Sequence, residues 1–162
     1  MQKFRVCACL GVALVCAGTA AGDVHRFEFV IDGLQETPPV NTPGSGFGIV
    51  EFDDVTRLLT WTITFQDLLG PVTAAHFHGP ATFGIPAGVR VDIGAISGLA
   101  SPMVGSTTVS AAFGGELLDG LWYVNIHTTI HPAGEIRGQV VPAPAGAAVL
   151  AGAWLGMMRR RR

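Results

Sequence analysis

The sequence predicts an all-β protein: a single antiparallel β-sandwich or barrel of about eight short strands, flanked by an N-terminal signal peptide and a C-terminal hydrophobic sorting helix. Three observations carry this. Apolar and polar residues alternate with a period of two along most of 25–141, the repeat of a half-buried strand, and no stretch there keeps a helical period. The 22 glycines and 10 prolines fall largely between those runs, as turns require. Both ends differ from the middle, each combining a short apolar run with a basic cluster.

Lys3 and Arg5 open the chain, Val6–Val15 is apolar, and small residues follow at 17–22. This is the layout of a signal peptide over 1–21, a substrate for signal peptidase, and ten apolar residues are too few to span a bilayer. Cys16 follows Val15, where a lipoprotein signal would carry a small residue. Cys7, Cys9 and Cys16 are the only cysteines, so the expected domain at 23–141 has no disulfide and no thiolate metal site. From Asp23 to Pro142 there are 120 residues, enough for one domain burying roughly two thirds of its unfolded surface.

In chain order, Phe27, Phe29 and Ile31 face one side of a first strand over 25–32. The Pro-rich connection 33–46 follows, with Gln35 and Glu36 forming either a binding loop or a cap on the sheet edge. A second strand over 46–53 turns at 53–57 into a third, where Leu59, Trp61, Ile63 and Phe65 alternate with threonines. Val72–His78 is the fourth, with His76 and His78 on one face. Val89, Val91 and Ile93 mark a fifth strand, and Gly94–Pro102 reads as a loop. Met103–Ala112 reads as a Ser/Thr-rich strand and 114–120 as a single turn. A hairpin over 121–141 ends the domain. If it reverses near 130–132, Tyr123 faces Gln139, Asn125 faces Arg137 and His127 faces Glu135, all six on one polar face.

Six of the ten cations lie at the two ends, so the segment between them carries four cations against twelve acids, a net −8. That balance argues against nucleic acid as a partner. Pro142 and Pro144 then precede an apolar run over 145–158 and four arginines, Arg159, Arg160, Arg161 and Arg162. The run is short for a span, but the arginines form a strong positive-inside stop.

The blocks QETPPV (35–40), TAAHFHGPA (73–81) and YVNIHTTIHPAGEIRGQV (123–140) resemble, in order and spacing, the signature of the chordin-type CHRD domain. That resemblance implies an extracellular β domain without a settled activity. Residues 142–162 resemble a PEP-CTERM sorting signal, with Ala143 where Glu is usual. This second resemblance implies a bacterial envelope, transient membrane association through the C-terminal segment, and processing by an exosortase-type enzyme. The protein would travel through the inner membrane to the cell surface or the medium.

The chemistry concentrates on histidine. His76 and His78, two residues apart on a strand, project to one face about 7 Å apart at the backbone, and one metal can bridge them. With His127 they make a candidate zinc or copper site. An HxH strand in an exported β domain is also distantly similar to copper–zinc superoxide dismutases, which use more His and Asp ligands and a cysteine pair absent here. Asn125, His127, Glu135 and Arg137 are expected to form a structural hydrogen-bonded network fixing the hairpin register. No nucleophile accompanies them, and there is no phosphate loop. The reading is therefore a surface-sorted domain with a non-enzymatic binding or structural role toward an envelope or matrix component, requiring no cofactor. The alternative is a His-based zinc or copper protein with redox activity.

Overall fold

In a computed structural model, residues 22–142 are described. The expected signal peptide and the sorting segment from Ala143 onward, with Pro144 and Arg159–Arg162, lie outside the described residues. No described helix is long and apolar enough to cross a membrane.

The strands are β1 (Val24–Asp32), β2 (Ser45–Asp53), β3 (Leu58–Gln66), β4 (Val72–His78), β5 (Val89–Asp92), β6 (Met103–Thr108), β7 (Trp122–Thr128) and β8 (Ile136–Val140). Helices α1 (Ile93–Ser97) and α2 (Ala111–Leu118) flank β6. All eight strands form one antiparallel sheet in the order β5-β4-β7-β8-β1-β2-β3-β6. Laid flat, its edge strands β5 and β6 would be about 34 Å apart. Only residues 93–102 join them, and half of those are coiled into α1, so the sheet must curl. It does: Trp61 of β3 meets Phe77 of β4 edge-on at 5.6 Å, across the interior. The result is a curled half-barrel, and α1 packs against both β4 and β6 between its two edges.

The period-two faces set the core. Phe27, Phe29 and Ile31 of β1, Leu59, Trp61 and Ile63 of β3, Ala75 and Phe77 of β4, and Trp122, Val124 and Ile126 of β7 are all buried inside the curl. β2 and β3 pair through the turn after Asp53, whose carboxylate accepts the Val55 and Thr56 amides.

Three local expectations are corrected. Ile93 does not continue β5, because the Asp92 side chain accepts the Ala95 amide and starts α1 inside the expected loop. The strand over 103–112 stops at Thr108, since Ser110 caps the Phe113 amide and Ala111 and Ala112 become the first turn of α2. The single turn expected over 114–120 is the second half of that helix. Glu116 anchors it by accepting from Arg90 Nε at 2.7 Å and from Trp122 Nε1 at 3.0 Å.

Candidate functional site

β7 lies between β4 and β8, and its register places the chemistry. Tyr123 pairs with Gln139 and Asn125 with Arg137, as the hairpin pattern requires. On the other side His76 pairs with Asn125 and His78 with Tyr123, while a bulge between Val72 and Ala74 sets His127 opposite Ala74. The polar sides of the three strands therefore merge into one face. Much of that face is closed to solvent, although His76, His78 and His127 are only half-buried. The segments 33–44 and 79–88 lie over it, so Tyr123, Asn125, Arg137 and Gln139 are buried.

His76, His78 and His127 converge on this face. Each offers a ring nitrogen, and the three nitrogens lie within 4.8 Å of one another. Tetrahedral ligands about 2.0–2.1 Å from zinc sit about 3.3 Å apart. His76 Nδ1 and His127 Nε2, at 3.2 Å, already have that spacing. The backbone fixes two of the tautomers. His78 Nδ1 lies 2.9 Å from the Ala87 carbonyl, and His127 Nδ1 lies 3.0 Å from that of Pro132. A carbonyl only accepts, so both Nδ1 atoms carry the proton and both Nε2 atoms present a lone pair. His78 Nε2 is buried and has no hydrogen-bond partner among the described residues. His76 Nδ1–H donates to His127 Nε2.

Electrostatics favour the neutral rings. Burial lowers the His78 pKa, and the neighbouring His76, His127 and Arg137 lower it further, against the raising effect of the Ala87 bond. Burial, followed by His76, lowers that of His127. Both rings are therefore free bases at neutral pH, the form that coordinates.

A column of side chains extends from the cluster. The His78 ring stacks on Tyr123 at 5.0 Å and 6°, and the Arg137 guanidinium lies 3.5 Å from the centroid of the Tyr123 ring. The Tyr123 hydroxyl accepts from the Ala87 amide, and Arg137 Nη2 donates to the Ile85 carbonyl, so the column also secures the 79–88 loop.

The expected four-residue network does not form. Glu135 just precedes β8, and its carboxylate turns away from His127. It accepts from Thr128 Oγ1 (2.7 Å), Thr42 Oγ1 (2.6 Å) and the Leu69 amide (2.7 Å) instead. The partners of His127 are Pro132 and His76, that of Asn125 is Glu36, and Arg137 bonds Ile85. Glu36, read from sequence as a loop or edge residue, is buried beside Arg137 and Asn125. Burial pushes its pKa up to about 7, against the lowering effects of the Arg137 charge, the Thr37 amide and Asn125. Gly134, at φ +134°, makes this packing possible: a Cβ there would lie 2.5 Å from Glu36 Oε1 and against Asn125 Oδ1.

Three grooves of about 370–480 Å³ lie toward the outer surface of β1, β2, β3 and β6, and no histidine lines them.

Eight antiparallel strands curled around an apolar core, carrying a histidine trio on a covered polar face, define a small all-β domain. The CHRD domain family model matches residues 27–140, and the chain belongs to that family. Comparison with curated proteins and with solved structures gave no match.

Proposed function

We propose that this CHRD domain binds one zinc or copper ion through His76, His78 and His127, and that it does so outside the cytoplasm. The observation that carries the reading is the pair of backbone carbonyls, Ala87 and Pro132, that hold the Nδ1 protons of His78 and His127. Ligand histidines are commonly oriented through a bond of this kind at the second ring nitrogen. Among the described residues this cluster contains nitrogen donors only, which suits zinc or copper better than calcium, magnesium or manganese. With copper the site would be redox-active. A non-enzymatic binding or structural role in the envelope or matrix is the second reading. It is favoured by the 3.2 Å His76–His127 bond, which joins the two rings without an ion.

Thermal unfolding with added metal separates the two. Zinc or copper should raise Tm in a saturable way, because the ion binds the folded state by mass action. His78→Ala should abolish the rise while the apo protein still melts cooperatively. No rise in wild type at micromolar metal would leave the structural reading.

Export and sorting are part of the same proposal. Lys3, Arg5 and the apolar run after them support export, and Pro142, Pro144, the apolar run and Arg159–Arg162 support exosortase-type sorting. Deleting 145–162 should release a folded domain into the medium. Equal cell association of the truncated and full chains would remove the sorting role.

A further inference from the structure

The outer side of the sheet carries an apolar groove of about 460 Å³ beside the point where the chain leaves the domain. Val30, Phe47, Phe83 and Val141 line it, from four separate chain segments, and among the described residues Glu28 is its only charged one. These four apolar side chains are 39–64% exposed, which is unusual for side chains of their size gathered in one place. Pro142 is still held to the domain by a bridge to Phe27, one residue beyond Val141.

Distances then restrict what can cover the groove. From Pro142 to Ala145, where the apolar run begins, there are three peptide steps, a reach of about 11 Å at most. As a helix, the 14 residues of 145–158 would extend about 21 Å, against a hydrocarbon core of about 30 Å. A run this short is accommodated when Arg159–Arg162 reach to the far headgroups and the near end is drawn to the interface. The near end is the domain itself, with this groove foremost. A helix of that length would occupy on the order of 1,600 Å³, several times the groove, so the groove could shield only part of the run. A second copy is disfavoured by the net −8 that each domain carries.

We infer that the groove of Val30, Phe47, Phe83 and Val141 rests on the surface of a zwitterionic phospholipid bilayer while the C-terminal segment is membrane-inserted. This rests on the sorting reading above and adds to it a membrane-facing side of the domain.

The test uses the full chain with Cys7, Cys9 and Cys16 changed to Ser and an environment-sensitive fluorophore on Phe83→Cys. A second chain carries the label on Thr56→Cys, in the exposed β2–β3 turn. With phosphatidylcholine vesicles the chain should float with lipid, and emission from position 83 should shift to the blue while that from position 56 does not. Flotation with an unshifted label at 83 would overturn the docking face and leave the sorting reading standing. Failure to float would overturn both. A shift at 83 without vesicles would also overturn it: if independent of protein concentration it would assign the groove to the chain's own tail, and if concentration-dependent, to a second copy.

Discussion

Glu135 should be the polar side chain on which the domain depends most. It is fully buried, and its carboxylate receives three short hydrogen bonds from three distant parts of the chain: Thr42, Leu69 and Thr128. Hydrogen bonds to a charged acceptor contribute about 1.5–3 kcal/mol each, and an orphaned buried donor costs about 1–3 kcal/mol. The threonine hydroxyls can rotate to other acceptors, but the Leu69 amide cannot. Glu135→Ala should therefore cost about 3–5 kcal/mol at pH 7, and Glu135→Gln less, about 1–2 kcal/mol. Acid supplies a second readout. Burial raises the Glu135 pKa, but the bonds from Thr42, Thr128 and Leu69 outweigh it and leave the carboxyl below its ordinary value. Its stabilisation is present above the unfolded carboxyl pKa and is lost as pH falls through the lower folded value. Urea unfolding followed by tryptophan fluorescence at pH 7 and pH 3.5 measures both effects. Wild type should lose more stability on acidification than Glu135→Gln. A cost below 1 kcal/mol for Glu135→Ala, or equal acid losses in the two proteins, would refute the argument.

Trp61→Ala should destabilise the domain by about 3–5 kcal/mol, since it empties the contact with Phe77 and breaks the 2.9 Å bond from Nε1 to Ser97; calorimetry showing under 1 kcal/mol would contradict that burial. Glu36, with its pKa raised to about 7 from 4.5, favours folding below the unfolded value and loses that advantage as pH rises through 7, by roughly 3 kcal/mol at most. Glu36→Gln should accordingly flatten the decline in unfolding free energy between pH 5 and 8, and an unchanged slope would show the carboxyl to be hydrated. Metal affinity should fall on acidification below the depressed pKa values of His78 and His127, which titration calorimetry at pH 5 and 7.5 would register.

The strands were legible where period two is uninterrupted. Phe27, Phe29 and Ile31 face the core, as do Leu59, Trp61 and Ile63, and the hairpin register at Tyr123 and Asn125 is the one expected for a reversal near 130–132. The two helices were not. Each is short and begins at a cap, Asp92 or Ser110, within a stretch whose small and polar residues read equally well as loop or strand. Alternation also failed at Glu135. It stands at the end of a turn, just before β8 begins, and a side chain there need not keep the parity of the strand that follows. Glu36 was hidden for a different reason. Its partners Asn125 and Arg137 are about ninety or more residues away, and no local pattern encodes which loop will cover which face.

That covering gives the histidine trio its character. All five residues of β8 are buried, although Arg137 and Gln139 are polar, so the sheet is enclosed on both sides here. Alternation gives the parity of such a face but not its dielectric surroundings. Among the described residues, enclosure leaves five buried polar side-chain atoms without partners, on Glu36, His78, Asn125, Arg137 and Gln139, and all belong to this face. An unpartnered buried group is costly, and the cost is removed by whatever supplies a partner of the right kind. The needs differ among the five. Glu36 Oε1 and Asn125 Oδ1 both approach Gly134, and Glu36, with its pKa raised to about 7, can carry a proton there. His78 Nε2 is different, because its other nitrogen is committed to Ala87 and it needs an electron-pair acceptor. The ion proposed above would be such an acceptor, in a cluster whose three ring nitrogens lie within 4.8 Å of one another.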